Sequence, residues 1–519
     1  MIENPILRGF NPDPSICRVG GDYYIATSTF EWYPGVQIHH STDLVNWRLV
    51  ARPLRRKSQL DMRGNPDSAG VWAPCLSYAD GRFWLVYTDV KRLDGAFKDA
   101  HNYIVTGETV TGDWSDPVYV NSSGFDPSLF HDDDGRKWFL NMRWNHRGQG
   151  TGLNPAHDAF DGIELQEWHP TRGLIGPVRT IFAGSPLGLT EAPHLFKRND
   201  WYYLTTAEGG TGYEHAVTMA RSRVIAGPYE LHPDTHLMTV RDAASPLQRT
   251  GHGQYVETPD GVPYHTFLCG RPLPEGRFCP LGRETGIARC VWRDDWLYLE
   301  GGGMIPPLTV PMDAVRAPDQ AVLRVFDTDE LPPEFQWLRT PEPGRIFALT
   351  GAALRLTGRE SLGSWFEQAL VARRQEHHAY HAETDMLADP PNWQRMAGLI
   401  TYYNRHKFHA ALVTHEGDAR VLRLVSCLGD WPGERLTTHA VLPVPDGLVT
   451  LSVQVTGARQ RFALNGLPVG PELDASLISD EGGRGEHASF TGAFVGMVAV
   501  DLTGQGWTAD FTRFDYSPG

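Results

Sequence analysis

Three carboxylates recur at matching places in the first half of the chain. They stand in Asn11-Pro12-Asp13-Pro14-Ser15, Phe125-Asp126-Pro127-Ser128 and Thr190-Glu191-Ala192-Pro193-His194. Two related segments, Trp72-Ala73-Pro74 and Gly251-His252-Gly253-Gln254, carry no acid. Taken singly, Asp-Pro and Glu-Ala-Pro are ordinary turn and strand-start signals. Three carboxyls at one place in a repeat would repel one another, a cost tolerated mainly where chemistry needs it. Two carboxyls across a cleft suit glycoside hydrolysis, where one protonates the leaving oxygen and the other deprotonates water or attacks the sugar directly. A third raises the pKa of the acid by like-charge interaction and keeps it protonated near neutral pH. Such a pocket repels carboxylated sugars, so the substrate should be neutral or cationic. Phe30, Trp32, Trp72 and Trp144 lie near these motifs and could stack on sugar faces or pack the core.

The elements that must position these groups are also repetitive. About eight to ten residues after each motif comes a polar turn and an aromatic strand. The copies are Gly21-Asp22-Tyr23-Tyr24-Ile25-Ala26-Thr27, Gly81-Arg82-Phe83-Trp84-Leu85-Val86-Tyr87, Gly135-Arg136-Lys137-Trp138-Phe139-Leu140-Asn141, Asn199-Asp200-Trp201-Tyr202-Tyr203-Leu204-Thr205 and Asp260-Gly261-Val262-Pro263-Tyr264-His265-Thr266. A spacing of about 60 residues fits one four-stranded propeller blade with its loops. Proline suits the first residue of a strand, where no ladder donor is lost. Each motif therefore opens the innermost strand of a blade, and the motif residues converge on one central channel. Five blades span residues 1–305.

Residues 306–321 form a proline-bearing linker. Beyond it, Ala353-Leu354-Arg355-Leu356, Val421-Leu422-Arg423-Leu424-Val425 and Val449-Thr450-Leu451-Ser452-Val453-Gln454-Val455 alternate as half-buried strands do. Asn465-Gly466 between two such runs is a tight-hairpin signal. Residues 322–519 thus read as a β-sandwich of the jelly-roll, concanavalin-like kind. The fold class is all-β.

Composition excludes some partners. A chain of 519 residues is too long for one core. Its net charge of −15 argues against nucleic acid, whose phosphates need a basic field. No apolar run is long enough for a membrane helix. Met1-Ile2-Glu3-Asn4-Pro5 has no basic stretch leading into an apolar run, and cysteines at 17, 75, 269, 279, 290 and 427 are sparse. These features lead us to expect reduced thiols and a cytoplasmic protein. A zinc site on Cys269, Cys279 and Cys290 lacks ligand spacing.

These residues resemble glycoside hydrolase family 43, the five-bladed β-xylosidases and α-L-arabinofuranosidases, and most closely its two-domain β-xylosidase branch. The resemblance is carried by the run Asn4-Pro5-Ile6-Leu7-Arg8-Gly9-Phe10-Asn11-Pro12-Asp13-Pro14-Ser15, by Gly188-Leu189-Thr190-Glu191-Ala192-Pro193-His194-Leu195, by Thr206-Ala207-Glu208-Gly209-Gly210-Thr211 and by Cys279-Pro280-Leu281-Gly282-Arg283-Glu284-Thr285. In the second half it is carried by Glu334-Phe335-Gln336-Trp337-Leu338-Arg339 and Phe490-Thr491-Gly492-Ala493-Phe494-Val495-Gly496. The resemblance implies that Asp13 is the general base, Glu191 the general acid and Asp126 the residue that tunes pKa and orients substrate. It implies that Arg283 binds sugar hydroxyls, and that Phe494 reaches across from the sandwich to close the pocket. Phe30, Trp72, Ala73, Trp144, Thr211 and His252 complete the implied substrate-binding set.

The resemblance also implies that no cofactor is required, although related enzymes hold a calcium ion or a water near the equivalent of His252. One imidazole is a poor match for calcium, which prefers several oxygens. Dimers or tetramers are implied as well. The chain departs from the branch at Ala192 and at Gly253-Gln254, and the segment His146–Gly162 reads as a longer loop near the leaving-group subsite.

The resulting expectation is an exo-acting, inverting enzyme that releases D-xylose from β-1,4-xylo-oligosaccharides, with L-arabinofuranose from α-arabinofuranosides as a further product. Inversion requires the two carboxyls to stand about 6.5–9.5 Å apart. A mainly arabinofuranosidase activity is the alternative. A retaining fructosidase would need a Trp-Met-Asn-Asp-Pro-like opening, which is absent, and a propeller lectin would carry near-identical repeats.

Overall fold

The computed structural model describes every residue except 155–156, 430, 434 and 484–488. It is all-β, with five four- or five-stranded sheets followed by two eight-stranded ones. The expected propeller and sandwich are both present.

The blades begin with Ser15–Val19, Cys75–Ala79, Ser128–His131, Glu191–Arg198 and, in the fifth, the split pair Gln248–Gly251 and Tyr255–Glu257. Each aromatic segment forms the second strand of its blade: Asp22–Thr27, Arg82–Arg92, Lys137–Trp144, Trp201–Glu208 and Pro263–Gly270. Their rings pack between blades, as when Phe196, Tyr203, Tyr255 and Trp292 stack across blades four and five. The innermost strands touch in a ring, and the first meets the last.

The opening segment seals that ring. Asn4 and Ile287 exchange hydrogen bonds of 2.9 Å through the Asn4 side chain. Asn11 N–H donates to the Arg283 carbonyl at 3.0 Å, and Thr285 Oγ1 donates back to the Asn11 carbonyl at 2.6 Å. The residues that flank Asp13 and Arg283 are therefore tied directly to each other.

In the sandwich, Asn465 and Gly466 both adopt positive φ between Arg459–Leu464 and Leu467–Asp474, the tight hairpin their sequence predicts. The two halves interlock. Trp32–Tyr33, from the propeller half, joins the edge of a sandwich sheet against Phe335–Leu338. In return, the linker strand Thr309–Val310 pairs with Ile2–Glu3. All six cysteines are buried. Among the described residues, no helix is long and apolar enough to cross a membrane.

Candidate active site

One left-handed residue marks the start of the innermost strand in four of the five blades. Asp13, Asp126, Ala192 and His252 have φ of 58°, 54°, 52° and 30°. The strand is thereby turned toward the channel, and non-glycine residues hold this conformation only where their surroundings enforce it. The crowding is visible at two glycines. A Cβ on Gly124 would lie 1.8 Å from the Met142 carbonyl, and one on Gly253 would lie 1.8 Å from that of Thr266. Gly253, one of the departures noted in the sequence, is thus required by this backbone.

These turns, with loops from blades two to five and from the sandwich, enclose a cavity of about 440 Å³. Its lining includes Asp13, Asp126, Glu191, Arg283, Phe30, Trp72, Ala73, Trp144, Thr211 and His252. Every predicted site residue but one is therefore brought to a single pocket.

The two oxygens of Asp13 receive separate donors. Arg283 Nη1 lies 2.9 Å from Oδ1, and Ser28 Oγ donates to Oδ2 at 2.6 Å. Arg283 is itself held in place: it donates to Thr211 Oγ1 at 3.0 Å and to the Phe490 carbonyl at 3.0 and 3.3 Å. These contacts use four of its five N–H groups, leaving one for a ligand.

The other two acids are pushed toward the protonated form. Burial, then the charge of Asp13, raises Glu191 to about 8 despite opposition from Arg283 and Lys98. Asp126 is raised well above the usual carboxylate range by burial, then by Glu191 and Asp13, with Arg283 and the Ala192 N–H opposing. A single site thus holds one carboxylate braced by donors and two carboxyls biased toward the protonated form.

Glu191 is positioned by an acid the sequence reading passed over. Glu208 is fully buried and accepts from Ser185 N–H at 2.7 Å, Thr190 Oγ1 at 2.8 Å and Thr218 Oγ1 at 2.8 Å. It pins the turn immediately before Glu191. The sequence did contain Glu208, inside a segment noted only for resemblance.

Aromatic rings wall the rest. Phe125 meets Trp72 edge-on at 5.1 Å, and Trp144 meets Phe160 edge-on at 5.6 Å. Lys98 Nζ sits 4.3 Å above the Trp144 ring, and Trp144 Nε1 is anchored on the Ala96 carbonyl at 2.9 Å. Phe125, Phe160, His215, Lys98 and the Leu93–Gly95 turn were not anticipated. Phe125 stands inside a repeated motif, where only its acid drew notice, and the others lie outside the motifs, so no periodic signal pointed to them.

Phe494 is the exception among the predicted residues. It begins the strand Phe494–Asp501, is fully buried, and stacks on Trp32 at 3.7 Å. Ladder pairing on both sides, to Arg374 and Tyr402, holds it in the domain interface instead of the pocket. Trp32 is consumed by the same stack. Among the described residues, the sandwich residue that reaches the cavity is Phe490, in the loop before that strand, where no ladder restrains it. Behind it, Tyr403 OH accepts from Thr491 N–H at 3.0 Å, and Arg249 links Asp480 at 2.6 Å to the Thr211 carbonyl at 3.1 Å.

The calcium expectation is not supported by the donor set. His252 Nδ1 is 3.5 Å from Asp13 Oδ1, and the neighbouring ring is that of His194, 6.2 Å away. Burial lowers His252 to about 3, so its imidazole is neutral. Nitrogen donors of this kind do not make an oxygen cage for a hard cation. Among the described residues, no group of three His, Cys, Asp or Glu side chains is arranged to hold a metal. The segment expected to be a loop as far as Gly162 ends earlier, because Phe160–His169 is a strand, and before it Asp158 accepts from the Gly150 and Gly152 N–H groups at 2.7 and 3.0 Å. Residues 155 and 156 of that loop lie outside the described residues.

Comparison with known families agrees with this geometry. The profile of glycosyl hydrolases family 43 matches residues 2–297. The chain belongs to that family. Residues 324–517 match a β-xylosidase C-terminal concanavalin A-like domain. A xylosidase/arabinosidase 43B of Humicola insolens is 55% identical, covering 100% of this chain and 98% of that protein. A β-xylosidase of Bacillus subtilis is 47% identical over 99% of both. Among solved structures, a xylan β-1,4-xylosidase from Bacillus halodurans superposes with a TM-score of 0.93 at 46% identity, covering 100% of both chains.

Proposed function

We propose that this family 43 enzyme is an exo-acting, inverting β-xylosidase that removes D-xylose from the non-reducing end of β-1,4-xylo-oligosaccharides. The observation that carries the reading is the division of labour among three carboxyls in one pocket. Asp13 accepts donors on both oxygens, while Glu191 is biased toward its acid form near neutral pH. Asp13 takes a proton from water as that water attacks the anomeric carbon. Glu191 gives its proton to the glycosidic oxygen as the bond to the leaving sugar breaks. Burial and the charge of Asp13 keep the proton on Glu191, Asp126 orients the sugar, and the remaining N–H of Arg283 is directed to a sugar hydroxyl. No cofactor takes part in these steps.

The size of the cavity and the Phe490 wall favour a terminal pentose over a bound internal segment. The names of the similar proteins from Humicola and Bacillus support xylose. The Humicola name also supports arabinofuranose as a second sugar. The test compares kcat/KM on xylobiose with that on an aryl α-L-arabinofuranoside. A larger value on xylobiose is expected. Activity confined to the arabinofuranoside would overturn the substrate assignment.

A further inference from the structure

A second cavity of about 350 Å³ lies where the opening segment, the first blade, the linker and the sandwich meet. Four arginines line it: Arg8, Arg52, Arg316 and Arg374. The three acids in its wall are engaged by groups other than Arg52 and Arg374. Asp319 is bound by Arg8, by His377 Nε2 at 3.3 Å and by Arg316 at 4.0 Å. Glu334 is bound by Arg324, and Glu376 by Arg373 at 3.2 Å.

Arg52 and Arg374 differ from the other two. Arg374 is 4% exposed and, among the described residues, donates only to neutral oxygens, the Phe10 carbonyl and Gln336 Oε1, each at 2.5 Å. Its Nη2 is buried and has no partner among the described residues. Arg52 likewise meets neutral oxygens: Gln37 Oε1 at 2.6 and 3.1 Å and the Phe335 carbonyl at 3.4 Å. His39 faces the same space with a buried Nδ1 that also has no partner among the described residues. A buried guanidinium without a counter-charge is costly, and its fork of donors matches the oxygens of a carboxylate or phosphate.

We propose that this cavity is a binding site for a small oxyanion, held between Arg52 and Arg374. The electrostatics agree with the geometry. Burial pulls Arg52 down to about 9 although Glu334 opposes. Burial and the charge of Arg52 pull Arg374 well below the usual arginine range although Glu376 opposes. Both directions mean that these surroundings disfavour two cations, and an anion would relieve both. The site would join three parts of the chain, since its walls come from the propeller, the linker and the sandwich.

The experiment is a thermal-unfolding titration of the full chain with inorganic phosphate, with acetate, and with chloride at matched ionic strength. Phosphate or acetate should raise the midpoint beyond chloride, and whichever does so identifies the anion as phosphate-like or carboxylate-like. Arg374→Gln could fail to fold because its bonds tie Phe10 to Gln336, so Arg52→Gln is the informative variant. It should weaken the response about tenfold. Selenate soaked into crystals should give an anomalous selenium peak beside Arg52 and Arg374. Equal midpoints in all three salts, an unchanged response in Arg52→Gln, or a selenium peak found only elsewhere would each overturn the proposal.

Discussion

Arg283 Nη1 lies 2.9 Å from Asp13 Oδ1, so the proposed base and the arginine beside it form one unit. The arginine is buried, and its partners come from blade four and from the sandwich loop at Phe490. Both domains therefore set the position of Asp13.

Removing Asp13 should abolish most of the rate. Asp13→Ala should lower kcat on xylobiose by about 10²–10⁴-fold, the usual worth of a positioned base. Steady-state kinetics check this, with circular dichroism to confirm folding. A kcat within a few-fold of wild type would remove Asp13 from the mechanism.

The elevated Glu191 predicts both a pH profile and a stability change. The acid form is needed, so kcat/KM should fall as pH rises through about 8. The sign for stability follows from proton uptake. The folded carboxyl binds its proton more tightly than the unfolded one, so its contribution is fully present below the ordinary glutamate pKa and is lost as pH rises toward 8. Glu191→Gln should thus melt higher than wild type at neutral pH, and the gain should shrink in acid. Calorimetry at several pH values reads this directly.

Phe490 and Phe494 should separate cleanly. Phe490→Ala opens the pocket wall and should lower kcat/KM with little loss of stability. Phe494→Ala removes a ring buried against Trp32 and should cost about 3–5 kcal/mol of stability. If Phe494→Ala alone raises KM in a protein of normal stability, the pocket assignment is reversed.

Glu208 should act through Glu191. Glu208→Gln places an amide donor among hydroxyl and N–H donors that need an acceptor. Displacement of the turn before Glu191 should lower kcat by up to about 100-fold. A structural role alone would lower the melting temperature without moving the alkaline limb of the pH profile, whereas a positioning role moves that limb.

The blades were legible because their aromatic strands recur at a fixed interval, and the three acids because they occupy one position in that repeat. The left-handed turns were not legible, since a residue before proline is ordinarily extended, whereas Asp13 and Asp126 have positive φ. Phe494 was misplaced because the loop and strand of Phe490–Gly496 both carry a phenylalanine. Ladder pairing, which only the fold reveals, decides which one is free to reach. Lys98, Phe160 and His215 come from strands and loops outside the motifs, and their convergence depends on the closure of the ring.

The most direct test of the account is the configuration of the first sugar released. Xylobiose hydrolysed at high enzyme concentration and followed by proton NMR should yield α-xylose first, with β-xylose appearing later by mutarotation. β-Xylose as the first product would mean retention, and Asp13 would then be a nucleophile instead of a base.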